Sequence, residues 1–365
     1  MSWLDPEPFL RGTAWRDAGG RAVRADPAGL ARLPRDTVER AALPIGVRLE
    51  FTAGAGTRAV GIRYRATVPR TTDGMREISH CFALWQGDRC VGETFAEPAE
   101  EGTVTLPLPP SDGPFTVHPP ESRAPVITGL RAIGGTVRPA RRLPRWVVHG
   151  DSITEGWWST RPAHAWPAAA GRALGLDTVN LGYAGSARGE LPVAQQLAAL
   201  PADLLTLAFG TNCWGDVPTS AALLYETTRA FVTVVRGGHP DTPLLVLSPL
   251  LRPEAESTAN DLGATHAELR AAMEAATRDL VRAGDRHLAL LSGRDLLGPQ
   301  HLADGLHPDD AGHARVAAAV ADAVRRAGWA GPPTGAAPPA TPAPARPGEL
   351  DGMSGAGLGR GVLGR

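Results

Sequence analysis

Residues 146–156 read WVVHGDSITEG, a short apolar run that ends in a serine flanked by acidic residues and glycines. A run rich in valine predicts a buried strand, and the glycine and aspartate that follow it predict a turn. The strand would therefore deliver Ser152 into a turn. A serine presented in this way is a candidate nucleophile, provided that a base lies next to it.

Apolar strands alternate with helical segments from Arg145 onward. The strand candidates are 146–150, 178–181, 203–209, 244–248 and 287–291, and the helices between and after them include 264–283 and 311–326. Strands joined by helical crossovers predict a parallel, doubly wound sheet covered on both faces. Ligands of such sheets bind beyond the C-terminal strand ends, where Ser152, Asn212 and the loop after Ser248 are expected to converge.

The chain before this region has the two-residue alternation of half-buried strands. Strand candidates are 47–51, 60–68, 80–85, 90–95, 102–108 and 126–133, separated by turn residues such as Asp73-Gly74 and Gly87-Asp88. This spacing predicts an all-β, jelly-roll-like sandwich. We therefore expect four parts, which are a sandwich domain (1–137), a linker (138–144), an α/β domain (145–330) and a disordered tail rich in Pro, Gly and Ala (331–365).

Composition excludes several classes of protein. The 365 residues carry a formal net charge of -1, which is not that of a globally basic nucleic-acid binder. Every cationic residue is arginine, so a lysine Schiff base and a P-loop lysine are excluded. The three cysteines are too few for a disulfide framework. The acidic, proline-containing first ten residues predict no secretory leader, and no apolar run is long enough to span a bilayer, so we expect a cytoplasmic protein.

Downstream residues supply the partners that a serine nucleophile needs. Asp304 precedes His307 by three residues, and Gly210-Thr211-Asn212 follows another apolar strand. His307 is the candidate base, Asp304 the acid that would orient its ring, and Asn212 a donor to the oxyanion. Taken singly, each of these residues could be a cap or a turn residue, but their joint presence in this order favours the catalytic interpretation.

The order Ser, Asn, Asp, His, together with the residues next to each of them, resembles the SGNH superfamily, also called the GDSL-like lipases and acylhydrolases. The resemblance covers residues 145–328, in the blocks 150–152, 179–185, 210–212 and 304–307. It implies a flavodoxin-like three-layer α/β/α domain with a five-stranded parallel sheet. It also implies an oxyanion hole made by the Ser152 amide, the Gly185 amide, with Gly182 as the alternative, and the Asn212 side chain.

One block departs from the family pattern, which usually has an aspartate directly after the asparagine. Here Cys213 follows Asn212, so we expect different hydrogen bonding in that loop. Four residues near the blocks are candidates for substrate binding, namely Trp157, Trp158, Trp214 and Arg188. Core packing for the tryptophans and solvent exposure for the arginine remain the alternatives.

Several functional alternatives stay open. A metal site could draw on His301, Asp304, His307 and His313, but the HExxH helix of metalloproteases is absent. The Gly-x-Ser-x-Gly elbow of other hydrolases is absent too. A sandwich before an SGNH domain is similar to family 2 carbohydrate esterases, and also to actinobacterial SGNH acyltransferases that decorate polyketides. A catalytically inactive carbohydrate-binding protein is the alternative that is not an enzyme.

We therefore expect a serine esterase that cleaves a small acyl ester through an acyl-serine intermediate. The alternative is an acyltransferase that moves the acyl group to a hydroxyl of a sugar or secondary metabolite. The expected partner is a small-molecule ester, with no cofactor, no metal, no nucleic acid and no membrane. The acyl and alcohol specificity and the oligomeric state are left open.

Overall fold

Antiparallel strands are the main regular structure of the first 139 residues in the computed structural model, which describes residues 2–66, 81–95 and 99–329. One helix, α1 (Arg35–Ala41), lies among them. The strands are β1 (Leu10–Arg11), β2 (Trp15–Arg16), β3 (Ala22–Val23), β4 (Arg48–Ala53), β5 (Ala59–Ala66), β6 (Cys81–Gln86), β7 (Arg89–Phe95), β8 (Ala99–Pro107), β9 (Phe115–His118), β10 (Val126–Ile133) and β11 (Val137–Pro139).

Two of the antiparallel sheets pack face to face. One has the order β1-β4-β9-β6-β7, with β11 also paired to β4, and the other has the order β10-β5-β8. Phe51 and Phe115 from the first sheet share an apolar core with Ile62 and Leu106 from the second, and all four are buried. The antiparallel region is therefore a sandwich of two sheets over one core, as the alternation in the sequence predicted.

The α/β part contains five strands and six helices. The strands are β12 (Arg145–Gly150), β13 (Asp177–Gly182), β14 (Leu204–Ala208), β15 (Leu244–Leu247) and β16 (Leu288–Leu291). The helices are α2 (Ser152–Glu155), α3 (Trp166–Leu174), α4 (Leu191–Ala199), α5 (Ala221–Gly238), α6 (His266–Arg282) and α7 (Asp310–Arg326). Short 3-10 turns occur across the chain at Glu7–Phe9, Pro27–Arg32, Glu121–Arg123, Pro162–His164, Thr211–Cys213, Pro253–Ala255 and Pro299–His301.

The five strands form one parallel sheet in the order β13-β12-β14-β15-β16. This is the flavodoxin-like order 2-1-3-4-5, which reverses direction between the first and third strands and so opens a crevice there. Successive residues of β12 face opposite layers. Val147 lies in the apolar cluster of α4, α5 and α6, whereas Trp146 and Val148 lie in that of α3 and α7. The predicted three-layer α/β/α architecture is confirmed.

The segment between β1 and β4 packs on the α/β part. Ala25, Leu33 and Ala41 are buried in the same apolar cluster as Val179 of β13 and Val193 of α4. The chain therefore starts in the sandwich with β1, packs on the α/β part over residues 14–41, returns to the sandwich from β4 to β11, and then forms the parallel sheet. The buried apolar residues on α1 and just before it attach this segment to the sheet by hydrophobic contact.

Most predicted elements lie within two or three residues of the observed ones. Five were missed: β1, β2 and β3, of two residues each, β9, of four, and α1, of seven, are all too short to show a clear period. Arg138 and Pro139, which we had placed in the linker, lie in β11 and pair with β4. The Asp73-Gly74 turn, His80, the end of the 60–68 strand and the tail after residue 329 lie outside the described residues. Within the described part, no helix is long and apolar enough to cross a membrane.

Candidate active site

The nucleophile turn begins where β12 ends. Asp151 caps the four-residue helix α2, because its side chain accepts a hydrogen bond from the Ile153 amide at 3.0 Å. Gly156 ends the helix with φ of 101°, a conformation that glycine adopts without strain. Ser152 is the first residue of this helix and is 5% exposed. The turn therefore places the serine at the C-terminal edge of the sheet, beside the crevice.

Ser152, His307 and Asp304 form a continuous chain of hydrogen bonds. Ser152 Oγ lies 2.8 Å from His307 Nε2, and His307 Nδ1 lies 2.7 Å from Asp304 Oδ2. The other oxygen of Asp304 accepts the His307 and Leu306 amides at 2.8 and 3.0 Å, which orients the carboxylate. With Nδ1–H donating to Asp304, the lone pair of Nε2 is free to accept the serine proton.

The pKa shifts of His307 and Asp304 suit a general base at His307. Burial lowers the pKa of His307 below its ordinary value, although the hydrogen bond and charge of Asp304 act in the opposite direction. Burial would raise the pKa of Asp304, but hydrogen bonds from His307 and the charge of that ring outweigh it and lower the pKa. At neutral pH the imidazole is therefore neutral and the carboxylate ionised, as proton abstraction from Ser152 requires.

Three loops bring the predicted oxyanion donors to the same edge. Gly150 at the end of β12 is level with Gly182 of β13 and Ala208 of β14, so the loops that follow are neighbours. The loop that contains Asn212 reaches the loop after β13, because Asn212 Nδ2 lies 3.4 Å from the Ala187 carbonyl oxygen. A side-chain hydrogen bond between Asp151 and Thr211 joins it to the nucleophile turn as well.

The two candidate glycines occupy different environments. The Gly182 amide already donates to Asn180 Oδ1 at 2.8 Å, and a Cβ at Gly182 would lie 2.3 Å from the Glu155 nitrogen. Gly182 therefore allows the end of β13 to pass close to the backbone of Glu155 in α2. Gly185 is exposed, has φ of 73°, and has no heavy atom within 4 Å of a would-be Cβ. These facts favour Gly185 over Gly182 as the candidate amide donor.

The four predicted substrate-binding residues are three tryptophans, described first, and one arginine. The Trp157 ring stacks on the His307 imidazole, with centroids 5.3 Å apart. Trp158 is half-buried with φ of 68°. Trp214 donates from its indole nitrogen to the Thr258 carbonyl at 2.8 Å. Arg188, in contrast, pairs with protein groups, and its guanidinium bonds to Asp36 at 2.9 Å and to the Gly185 carbonyl oxygen at 2.6 Å.

The histidines that could have formed a metal site have other partners. His313 is fully buried and accepts the Trp166 amide at Nδ1, while its Nε2 donates to the Trp157 carbonyl at 2.9 Å. Burial lowers the pKa of His313 to about 4, so the ring is neutral. His301 Nδ1 accepts the Gly298 amide at 3.0 Å. Among residues 2–66, 81–95 and 99–329, no group of three or more His, Cys, Asp or Glu could hold a metal ion.

Cys213, which stands where the family usually has aspartate, is a buried thiol. Its sulfur lies 3.8 Å from the Arg188 carbonyl oxygen, and burial raises its pKa to about 12. The loop around it is closed by Asn260, whose side-chain nitrogen donates to the carbonyls of Cys213 and Thr219 at 3.2 and 3.1 Å. Cys213 is therefore a packing residue, and Asn260 supplies hydrogen bonds that hold the Asn212 loop.

Sequence reasoning missed several side chains that contact the site. Glu155 is 2% exposed and lies three residues after Ser152, and its position inside the quoted stretch was the available signal. Arg24, Asp36 and Arg40 carry no sequence signal, because they reach the site only through the packing of the first 41 residues on the α/β part.

A model of a known protein family matches the part of the chain that contains these residues. Residues 148–315 match the model of the GDSL-like Lipase/Acylhydrolase family, and this match contains Ser152, Asn212, Asp304 and His307. The family match lies within the α/β part of the fold, which contains the parallel sheet. The chain thus carries a GDSL-like lipase/acylhydrolase domain, and the resemblance seen in the sequence is confirmed.

Solved structures with two-domain architectures are similar over most of the chain. The salicylyl-acyltransferase SsfX3 from a tetracycline biosynthetic pathway has a TM-score of 0.78 at 23% identity, covering 90% of this chain and 97% of that one. A GDSL-like lipase candidate from Bacteroides ovatus has a TM-score of 0.73 at 20% identity, covering 91% and 99%. A family two carbohydrate esterase from Clostridium thermocellum in complex with cellohexaose has a TM-score of 0.57 at 16% identity, covering 78% of this chain and 92% of that one. No protein of curated function matches the sequence significantly.

Proposed function

We propose that this protein cleaves a small acyl ester through an acyl-serine intermediate on Ser152. The single observation that carries the proposal is the hydrogen-bonded chain from Ser152 Oγ to His307 at 2.8 Å and from His307 to Asp304 at 2.7 Å. This arrangement has the geometry of a nucleophile, its general base and the acid that orients the base.

In the proposed reaction, Ser152 Oγ attacks the ester carbonyl while His307 Nε2 takes the hydroxyl proton. Asp304 stabilises the resulting imidazolium. The carbonyl oxygen becomes an oxyanion bound by the Ser152 and Gly185 amides and the Asn212 side chain, where one such donor contributes about 2.7 to 4 kcal/mol. His307 then returns its proton to the departing alcohol, which leaves the acyl group on Ser152.

The acyl-enzyme is discharged by the reverse sequence. His307 takes a proton from an incoming hydroxyl, the oxygen attacks the acyl carbon, and the proton returns to Ser152 Oγ. Water as the incoming group gives hydrolysis and a free acid. An alcohol gives acyl transfer and a new ester. The chemistry of Ser152, His307 and Asp304 is the same in both cases.

The test is the intact mass of the protein before and after treatment with a fluorophosphonate. We expect one adduct on the wild type and on Ser111→Ala, a matched change at an exposed serine of the sandwich, and none on Ser152→Ala. Ester turnover should fall about 10⁴-fold or more in Ser152→Ala and His307→Ala. An unmodified wild type that is folded would contradict the proposal and favour an inactive carbohydrate-binding protein.

Acyl transfer is the second candidate, and the burial of the site favours it. Ser152 is 5% exposed, His307 is 9% exposed, and Trp157 covers one face of the imidazole. Limited access of water would let a bound acceptor compete for the acyl group. The likeness in fold to a salicylyl-acyltransferase over 90% of this chain is compatible with that activity.

Hydrolysis and transfer are distinguished by the products. The enzyme would be given an aryl ester with rising concentrations of an alcohol acceptor, and the free acid and the new ester would be measured by mass spectrometry. A new ester that replaces the acid at millimolar acceptor would identify a transferase. Acid as the sole product at every acceptor concentration would identify a hydrolase.

A further inference from the structure

Three charged residues from the first 41 positions reach the active-site loops. Arg24 precedes α1, whereas Asp36 and Arg40 lie in α1 itself. All three lie outside residues 148–315, which the family model matches. Asp36 pairs with Arg188 at 2.9 Å, and Arg24 and Arg40 lie 3.5 and 3.8 Å from the Glu155 carboxylate. These contacts connect the start of the chain to the loop that contains Gly185.

Arg188 holds the carbonyl side of Gly185. Its Nη1 donates to the Gly185 oxygen at 2.6 Å, and its Nη2 donates to Asp36 at 2.9 Å. Glu190 confines it further, since one carboxylate oxygen lies 3.4 Å from the guanidinium and the other accepts the Arg188 amide at 2.9 Å. A planar guanidinium bound on several sides has a single orientation, so the position of Asp36 is transmitted to Gly185.

Glu155 holds the other side of the same turn. Its Oε2 accepts a hydrogen bond from the amide of Ala184 at 2.9 Å, and Ala184 directly precedes Gly185. The carboxylate is almost fully buried, and the cations near it are Arg24 and Arg40. Arg24 also donates to the Gly182 carbonyl oxygen, so it contacts both Glu155 and the end of β13. A buried carboxylate depends on such cations, because an unpaired buried charge is strongly unfavourable.

The turn needs these constraints because Gly185 itself supplies none. It has no side chain, it is exposed, and no heavy atom lies within 4 Å of a would-be Cβ. An oxyanion donor must nevertheless lie about 2.7 to 3.1 Å from the developing charge. The Ala184–Gly185 peptide, which carries the Gly185 N–H, lies between two fixed peptides. The Ala184 N–H of the preceding peptide donates to Glu155, and the Gly185 carbonyl of the following peptide accepts from Arg188.

We propose that residues 24–40 form a clamp that positions the oxyanion hole, with Asp36 acting through Arg188, and Arg24 and Arg40 acting through Glu155. The inference rests on the proposed function, since it assigns the Gly185 amide to the oxyanion. The clamp residues are positioning residues, because each acts through another group. The first 41 residues thereby contribute to the geometry of the active site.

The decisive comparison uses two carboxylates on the same helix. Asp36→Asn removes the charge opposite Arg188 but keeps the oxygen that accepts the Thr37 amide. Glu39→Gln is the matched control, because Glu39 is exposed and pairs with the exposed Arg35. We expect kcat of Asp36→Asn to fall about tenfold with KM unchanged, whereas Glu39→Gln keeps wild-type kcat.

Further variants separate positioning from general stability. Arg188→Gln should lower kcat more than Asp36→Asn, and the double variant should be no worse than Arg188→Gln alone, because both act on the same carbonyl. Asp36→Glu should restore most of the lost kcat. The midpoint of the acid limb of kcat/KM should stay at the wild-type pH in all of them, since His307 is untouched. Melting temperatures should match that of Glu39→Gln.

The rate of Ser152 modification by a fluorophosphonate provides a readout that needs no substrate, because the phosphonyl oxygen enters the same oxyanion hole. Asp36→Asn should slow this rate about as much as it lowers kcat. Equal kcat and equal modification rates for Asp36→Asn and Glu39→Gln would overturn the clamp. A wild type that shows neither ester turnover nor modification of Ser152 would instead contradict the proposed function. The failure of the clamp and the failure of the proposed function are therefore distinguishable.

Discussion

The indole of Trp157 and the imidazole of His307 are stacked, with ring centroids 5.3 Å apart and an interplanar angle of 27°. Trp157 is itself held on two sides. Arg40 lies over its ring at 5.2 Å, and His313 donates to its carbonyl oxygen at 2.9 Å. The candidate base is therefore covered by a ring whose position depends on both the start of the chain and α7.

Replacing Trp157 with alanine should change both the rate and its pH dependence. Burial lowers the pKa of His307, so exposing the ring should raise that pKa toward its ordinary value. Because the neutral imidazole is the active form, the acid limb of kcat/KM should move to higher pH, and kcat should fall about tenfold as the ring loses its support. Trp3→Ala is the control, since Trp3 stacks between Arg63 and Arg131 in the sandwich. An unmoved acid limb would show that Trp157 does not set the environment of His307.

Asp304→Asn should cost about as much as the loss of the orienting acid does in serine proteases, about 10⁴-fold in kcat. Within the described residues, the hydrogen-bond partner of His307 Nδ1 is Asp304, and no backbone carbonyl takes its place. The carboxylate raises the pKa of His307, so the residual activity should have its acid limb at lower pH. Asp322→Asn, at an exposed pair with Arg325 on α7, is the control. A loss below tenfold would remove Asp304 from the proposed role.

Asn212→Ala should lower kcat about 10²- to 10³-fold with little change in KM, because the amide would act on the transition state rather than on the bound ester. Within the part of the chain that the structure describes, the side-chain hydrogen bond of Asn212 Nδ2 is a long one of 3.4 Å to Ala187 O, so its loss should leave the melting temperature nearly unchanged. Steady-state kinetics and a thermal melt check both statements. A rise in KM at constant kcat would place Asn212 in ground-state binding instead.

Glu121→Gln should stabilise the protein at alkaline pH and leave it nearly unchanged at pH 4. Burial raises the pKa of Glu121 to about 8 from its ordinary value of 4.5. Between these values the unfolded chain loses the proton and the native protein keeps it, so stability is lost as pH rises, at about 1.4 kcal/mol per pH unit. Gln keeps an oxygen for the Gly46 amide, which Glu121 accepts at 2.6 Å.

Urea unfolding of wild type and Glu121→Gln at several pH values measures this effect. The difference in unfolding free energy should grow from pH 5 to pH 8 and then level off. The exposed Glu254, changed to glutamine, should give no such growth. A constant difference across this range would mean that Glu121 is ionised in the native protein.

Local patterns predicted the sheet correctly, and they named the residues of the candidate triad. The strands β12 to β16 are short apolar runs separated by amphipathic helices, and each of these patterns is visible in a window of a few residues. Ser152, Asn212 and His307 were found because they lie in recognisable blocks directly after such elements or before α7. The strand β9 and the helix α1 were missed because four and seven residues are too few to establish a period.

The sequence alone determined the layered α/β domain, the preceding sandwich and the residue types for serine chemistry, because these depend on periodicity and on short motifs. Only the tertiary structure decided that Arg188 binds Gly185 and Asp36 rather than an open pocket, and that Trp157 covers His307. It also decided that Arg24 and Arg40 lie beside Glu155. Apart from the bond between Arg188 and Gly185, these contacts join positions more than a hundred residues apart. Their geometry arises from the packing of whole layers, which no local pattern of side chains encodes.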